Sequence, residues 1–252
     1  LSYIENATLD DVKAFFFKHY RPVNAVLCLA GDIHKDEAKR LSEKWFEPIP
    51  QGEKYNRPKF IEPKQTTPRR LCVEKEVPVS VIYKVYHMAD RLDPSFYATD
   101  LITEVLSGGQ SSRLYQALVK EQKLFSGIDC YHTNSVEQGL VIIEGKLLPT
   151  TKPEVGEAAI QQELMKIKEN IIDAKELEKV KNKVESLIAF EDLNLLNRAN
   201  NIAFYELLGD ANRMNQEFTF YNQVTAEEIQ QQANILFDEN NCCTLYYLAK
   251  AG

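Results

Sequence analysis

Two segments 217 residues apart follow one plan, and that recurrence constrains the fold more than any other feature of the chain. Thr8-Leu9-Asp10-Asp11-Val12 matches Thr225-Ala226-Glu227-Glu228-Ile229 in type. Each is a hydroxyl suited to cap a helix, with two carboxylates in the first turn, where the helix dipole favours negative charge. Tyr20 and Phe237 stand at the same interval, as do Asn24 and Asn241, and so do the apolar runs that start at Ala25 and Cys242. An equal offset at cap, acidic turn, aromatic and asparagine predicts a duplicated helix-then-strand unit. On that reading residues 1–60 are the C-terminal part of a first domain, 61–70 a linker, and 71–252 a complete second copy of the same domain. The boundary falls in Gln51–Arg69, where Gly52, Pro58, Pro63 and Pro68 stand among polar residues without periodicity.

Periodicity supplies the elements between. Val12, Phe15, Phe16 and Tyr20 recur at helical spacing after Thr8, and Arg21-Pro22 stops that helix. The run Ala25–Ala30 reads as a strand buried on both faces, followed by a helix with Ala38, Leu41 and Trp45 facing inward. Further on, Val79–His87 reads as a strand, and Pro94–Leu106 as a helix stopped by Ser107-Gly108-Gly109. A helix from Ser111-Ser112 through Leu118 and a hairpin of Phe125–His132 with Leu140–Leu147 come next. Helices over Pro153–Asn170 and Asp173–Leu208 follow, the latter ended by Gly209. Strands in groups and helices in groups predict an α+β fold, helix-rich and with an antiparallel-rich sheet.

Several function classes fall away. A net charge of −7 is the wrong sign for a general nucleic-acid binder, which needs clustered Lys and Arg on phosphates. No apolar run reaches the roughly 20 residues that span a bilayer. The five cysteines include no C-x-x-C pair, and each is read as a small buried hydrophobe. His19, His34, His87 and His132 lack the spacing that sets two zinc ligands on one helix face. Ser107-Gly108-Gly109-Gln110 is no phosphate loop, and no G-x-S-x-G is present. The residues therefore point to a domain with no catalytic residue and no metal ligand of its own. Leu1 runs straight into a helix start without a leader, so the chain reads as a piece of a longer protein.

Two stretches carry a family resemblance. The first runs from Thr8-Leu9-Asp10-Asp11-Val12 through His19-Tyr20-Arg21-Pro22-Val23-Asn24 to Ala30-Gly31-Asp32-Ile33. The second is Ile102-Thr103-Glu104-Val105-Leu106-Ser107-Gly108-Gly109-Gln110-Ser111-Ser112-Arg113-Leu114-Tyr115. Together they resemble the end of the first domain and the glycine turn of the second domain in pitrilysin/insulinase-type zinc metallopeptidases, the inverzincins that include the mitochondrial processing peptidase. The resemblance implies a tandem α+β duplication. It also implies zinc held by H-x-x-E-H in an upstream domain of the same polypeptide, where the metal makes a nucleophile of water.

This chain would then be the non-catalytic wall of a chamber for peptide substrates, with a homologous partner chain as a further implied partner. A peptidase-inactive structural homologue of the same family is the alternative. The family's substrate-holding Arg and Tyr fall on Val119 and Ser126, which cannot replace them. Lys120, Lys123 and Ser126 are the substrate-facing candidates that the resemblance leaves.

Overall fold

Along Val81–Met88 half-buried and buried side chains alternate, so one face of this strand is inside and the other is not. With β1 as Arg69–Lys75, this strand as β2, β3 as Phe125–His132, β4 as Gly139–Leu147 and β5 as Cys242–Ala249, the sheet has the order β1-β5-β2-β4-β3. β1 and β5 run parallel, and every other neighbouring pair is antiparallel. The structure, a computed structural model, describes residues 1–55 and 61–250. It divides into two compact units, residues 61–188 with 217–252 and residues 1–60 with 189–216. Residues 56–60 of the proline-spaced connection lie outside the described residues.

The sheet belongs to the 61–188/217–252 unit, whose helices are α4 (Ser95–Ser107), α5 (Pro153–Glu169), α6 (Ala174–Glu191), α8 (Glu217–Gln223) and α9 (Ala226–Leu236). Inward side chains of the strands, among them Ile82, Tyr86, Ile128, Val141 and Ile143, join one core with Leu101, Leu106, Ile160, Leu164, Ile229 and Leu236 from the helices. This is the α+β, antiparallel-rich architecture that grouped strands and helices predict. Gln65, ahead of β1, is buried and donates through Nε2 to the Cys242 carbonyl at 3.0 Å.

The other unit holds α1 (Ser2–Glu5), α2 (Leu9–His19), α3 (Lys35–Phe46) and α7 (Leu195–Leu207). The sequence repeat reappears as local geometry. Thr8 Oγ1 accepts from the Asp11 N–H at 3.2 Å while the Thr8 N–H donates to Asp11 Oδ2 at 2.9 Å. Thr225 and Glu228 make the same reciprocal pair at 3.2 and 2.8 Å, a capping box at each helix start. Both helices lead into short 3₁₀ turns, Pro22–Asn24 and Glu239–Asn241. In each turn the asparagine Nδ2 reaches back to a carbonyl five residues earlier, His19 at 3.3 Å and Leu236 at 2.9 Å.

Four expectations are corrected. Ala25–Ala30 is not a buried strand: it forms no ladder, and its side chains are exposed except for half-buried Cys28, because no strand among the described residues lies beside it to supply hydrogen bonds. Trp45 does not face inward but is exposed, while Ala38 and Leu41 are half-buried. Asp173–Leu208 is two helices, broken at Asp192–Asn194, where the Asn194 side chain caps α7 by accepting from the Leu196 N–H at 2.9 Å. Of the cysteines, Cys130 and Cys242 are buried, Cys28 and Cys243 half-buried, and Cys72, on the sheet's edge strand, is exposed.

Candidate functional site

Because strand side chains alternate, the face of the sheet turned away from the core is also defined by register. Leu71 on β1 stands beside Leu245 on β5, which pairs with Tyr83 on β2. In the next row Cys243 pairs with Val85, Val85 with Ile142, and Ile142 with Tyr131. All of these are half-buried or exposed, and they line a cavity of about 460 Å³. Toward β3 the platform becomes acidic: Asp129 lies directly across from Glu144, whose carboxylate is 3.5 Å from Lys146 Nζ. Partial burial, and then the Glu144 charge, push the Tyr83 and Tyr131 phenols above their ordinary values, so both stay neutral donors. The face offers an apolar and aromatic platform with phenolic donors.

A loop after α4 is the second constructed feature. Gly109 has φ +111°, open only to glycine at low cost, and a Cβ on Gly108 would run into Glu104 at the end of α4. Ser112 is buried and donates to the Gly109 carbonyl at 2.6 Å. α6 ties the loop down. Lys183 Nζ donates to Glu104 Oε2 at 2.5 Å and to the Gly108 carbonyl at 2.9 Å, and Arg113 makes a two-pronged pair with Glu176 at 3.0 and 2.6 Å. Arg113 is thus spent on structure.

The helix beyond it, Tyr115–Glu121, is wound wide as a π-helix, with the Gln122 N–H reaching the Ala117 carbonyl at 3.0 Å. Sequence periodicity gave no sign of that winding. Val119 lies within it and packs half-buried against the core, whereas Lys120 is exposed. Lys123 is exposed too, at φ +52°, and Ser126 opens β3 with its Oγ donating to the Lys146 carbonyl at 3.2 Å. Lys120 and Lys123 make no side-chain hydrogen bond or ion pair among the described residues. The structure places the three candidates on one short stretch of chain and joins none of them to another.

Polar groups under the sheet were not visible to sequence reasoning. Glu157 on α5 takes two bonds from Arg70, 2.7 and 2.8 Å, one from buried Lys84 at 3.0 Å and one from the Tyr246 hydroxyl at 2.5 Å. Burial alone would push this carboxyl up, but Arg70, Tyr246 and Lys84 overcome it and hold it at about 2. Tyr246 is raised to about 12 by burial and then by Glu157.

Elsewhere Asp100 accepts from Tyr221 at 2.6 Å and lies 2.9 Å from His132 Nε2, while His132 Nδ1 accepts from the Asn134 N–H at 3.0 Å. That ring has both nitrogens in use, as a neutral imidazole does. The described residues contain no group of three or more His, Cys, Asp or Glu side chains placed to hold a metal, and with its one polar-bonded histidine satisfied the donor set does not fit zinc.

The chain is similar to zinc proteases. It is 28% identical over 181 residues to zinc protease PqqE of Helicobacter pylori, covering 71% of this chain and 41% of that protein. It is 24% identical over 238 residues to the uncharacterized zinc protease YmxG of Bacillus subtilis, covering 94% of this chain and 57% of that one. The chain thus spans about half the length of the curated relatives it matches. A solved protease from Helicobacter pylori shares the fold with TM-score 0.90 at 23% identity, over 98% of this chain and 60% of that one. A peptidase M16 inactive domain from Pseudomonas fluorescens shares it with TM-score 0.84 at 20% identity, over all of this chain and 59% of that one. The peptidase M16 inactive-domain model matches residues 6–184, and the chain therefore belongs to the M16, pitrilysin-like metallopeptidase family, as its non-catalytic domain.

Proposed function

We propose that this chain is the C-terminal part of a zinc metalloendopeptidase and that the open face of its sheet forms a wall of the peptide chamber. The zinc domain lies upstream in the same polypeptide. The observation that supports the wall is the two rows of Leu71, Leu245, Tyr83, Val85, Ile142 and Tyr131, lining a cavity on the side of the sheet turned away from the main core. Half-buried aromatic and aliphatic side chains bind extended peptide by area, without selecting one sequence, and the phenols add orienting donors. On this reading Lys120, Lys123 and Ser126 meet substrate, and a homologous partner chain supplies the absent Arg and Tyr donors.

The test is steady-state cleavage of a quenched peptide by the full parent protein with Leu245→Lys. A wall residue that binds substrate and transition state alike gives a KM raised about tenfold with kcat unchanged. An unchanged KM overturns the wall. A parent that binds peptide and never cleaves it, alone or with its homologue, returns the inactive structural reading.

A further inference from the structure

Every β1 side chain but that of Val73 is exposed, so the helices leave the β1 end of the sheet open. A cavity of about 550 Å³ lies there, walled by Tyr86 and Phe237, whose rings meet edge-on with centroids 5.0 Å apart. Its floor is charged. Lys84 lines it with a side chain only 6% exposed, and the ammonium has one partner among the described residues, Glu157 Oε1 at 3.0 Å. An ammonium carries three N–H donors, so two are unspent. Glu157 can take neither. It already accepts twice from Arg70, once from Tyr246 at 2.5 Å and once from Thr244 at 3.4 Å. Two cations against one carboxylate leave the floor with one positive charge, and a charge held this far from water needs an acceptor of opposite sign.

The rim has the reverse balance. Glu154 and Glu239 line the mouth with Arg69, and all three are exposed. None of them makes a side-chain hydrogen bond or ion pair among the described residues, and two carboxylates against one cation leave the rim negative. Gln161 stands half-buried one turn beyond Glu157 on α5 and lines the same cavity. Its amide, too, has no hydrogen-bond partner among the described residues.

We propose that this cavity binds a short zwitterionic peptide, with its C-terminal carboxylate on the Lys84 ammonium and its N-terminal ammonium at Glu154 and Glu239. A simple anion would satisfy Lys84 and leave the rim unbalanced, and a simple amine would do the reverse. Gln161 offers both a donor and an acceptor to a peptide unit, and Tyr86 and Phe237 cover an apolar side chain. The volume has room for a ligand of about two or three residues. The site lies on the opposite face of the sheet from the chamber wall proposed above and does not depend on it.

Calorimetric titration of the 252-residue chain with leucyl-leucine tests the site, and the expected result is one-to-one binding. The C-terminal amide of that dipeptide, which lacks the inward carboxylate, binds about 30-fold more weakly, and the N-acetyl form about fivefold more weakly. Free leucine, which has no peptide unit for Gln161, binds about tenfold more weakly. Lys84→Met removes most of the preference for acid over amide. Glu154→Gln with Glu239→Gln, both at exposed positions, makes the N-acetyl and free forms bind alike. Absence of binding at about 10 mM dipeptide overturns the proposal. So does equal binding of acid and amide by the unaltered chain, a reading that stands even where Lys84→Met fails to fold. A preference for acid that survives intact in Lys84→Met moves the ligand to another surface and overturns the site. Free leucine binding as tightly as the dipeptide overturns the peptide assignment. Peptide cleavage is not read, so failure of the wall reading leaves these outcomes as they stand.

Discussion

Glu157 on α5 gathers donors from β1, β2 and β5, so a single carboxylate fastens three strands to one helix. Its value near 2 lies below the 4.5 of a free glutamate, and the sign follows. The stabilisation is complete above about pH 4.5 and is lost as pH falls from there through 2. Glu157→Gln lowers stability at pH 7 by about 2 kcal/mol, less than a fully buried pair because Arg70 is half in water. Urea denaturation measures it: wild type and variant differ at pH 7 and converge as pH approaches 2. None of this was legible in the sequence. Glu157 is one of 37 acidic residues, and its partners at 70, 84 and 246 meet it only through the sheet register. The candidates Lys120, Lys123 and Ser126 rest on the motif around Ser111-Ser112-Arg113-Leu114 rather than on a chemical constellation legible in the sequence.

At the scale of elements, the readable signals were those that local sequence enforces. Thr8 and Thr225 mark helix starts because each has an acidic residue three places on to close the capping box. Phe125–His132 and Leu140–Leu147 read as a hairpin, and they do pair antiparallel, with a register shift between Phe125 and Gly127 that the sequence did not show. The break at Asp192–Asn194 was hidden because Leu187, Phe190, Leu193 and Leu196 continue the apolar pattern through it. The π-helix was hidden because its extra residue leaves composition unchanged. Ala25–Ala30 has a strand's composition, but a strand exists only beside another.

The α4–α6 clamp is a device of this scale too. Lys183→Met removes one bond to the glycine loop, at the Gly108 carbonyl, and one to Glu104 on α4 without touching the core. Exchange of the Gly108–Ser112 amides should rise about tenfold while global unfolding shifts by less than about 1 kcal/mol. Unchanged exchange would show that the loop holds itself.

For the molecule as a whole, the repeated cap-and-turn geometry at Thr8 and Thr225 was legible from spacing, and the grouping of residues 189–216 with 1–60 was not. Nothing in a local pattern reports which half of a chain a distant helix joins. Every member of the large core cluster lies within 61–188 or 217–252. Deleting residues 1–60 should therefore leave the unfolding free energy of the sheet-bearing unit, measured by urea denaturation, within about 0.5 kcal/mol of its value in the full chain. A larger loss would mean that this core borrows stability from the deleted segment.

The strand order has a consequence for how such a molecule is made. β5 is the last strand to leave the ribosome, yet it sits second in the sheet, and β1, the first, has hydrogen-bonded contact with β5 alone. Throughout synthesis β1 waits with both edges bare, and β2 carries a bare edge beside it. A nascent chain stalled or clipped before Cys242 cannot pair either one. Quality control thus has a simple cue, because an unfinished copy presents the facing edges of β1 and β2 to chaperones and proteases, and β5 closes those two in a single final step.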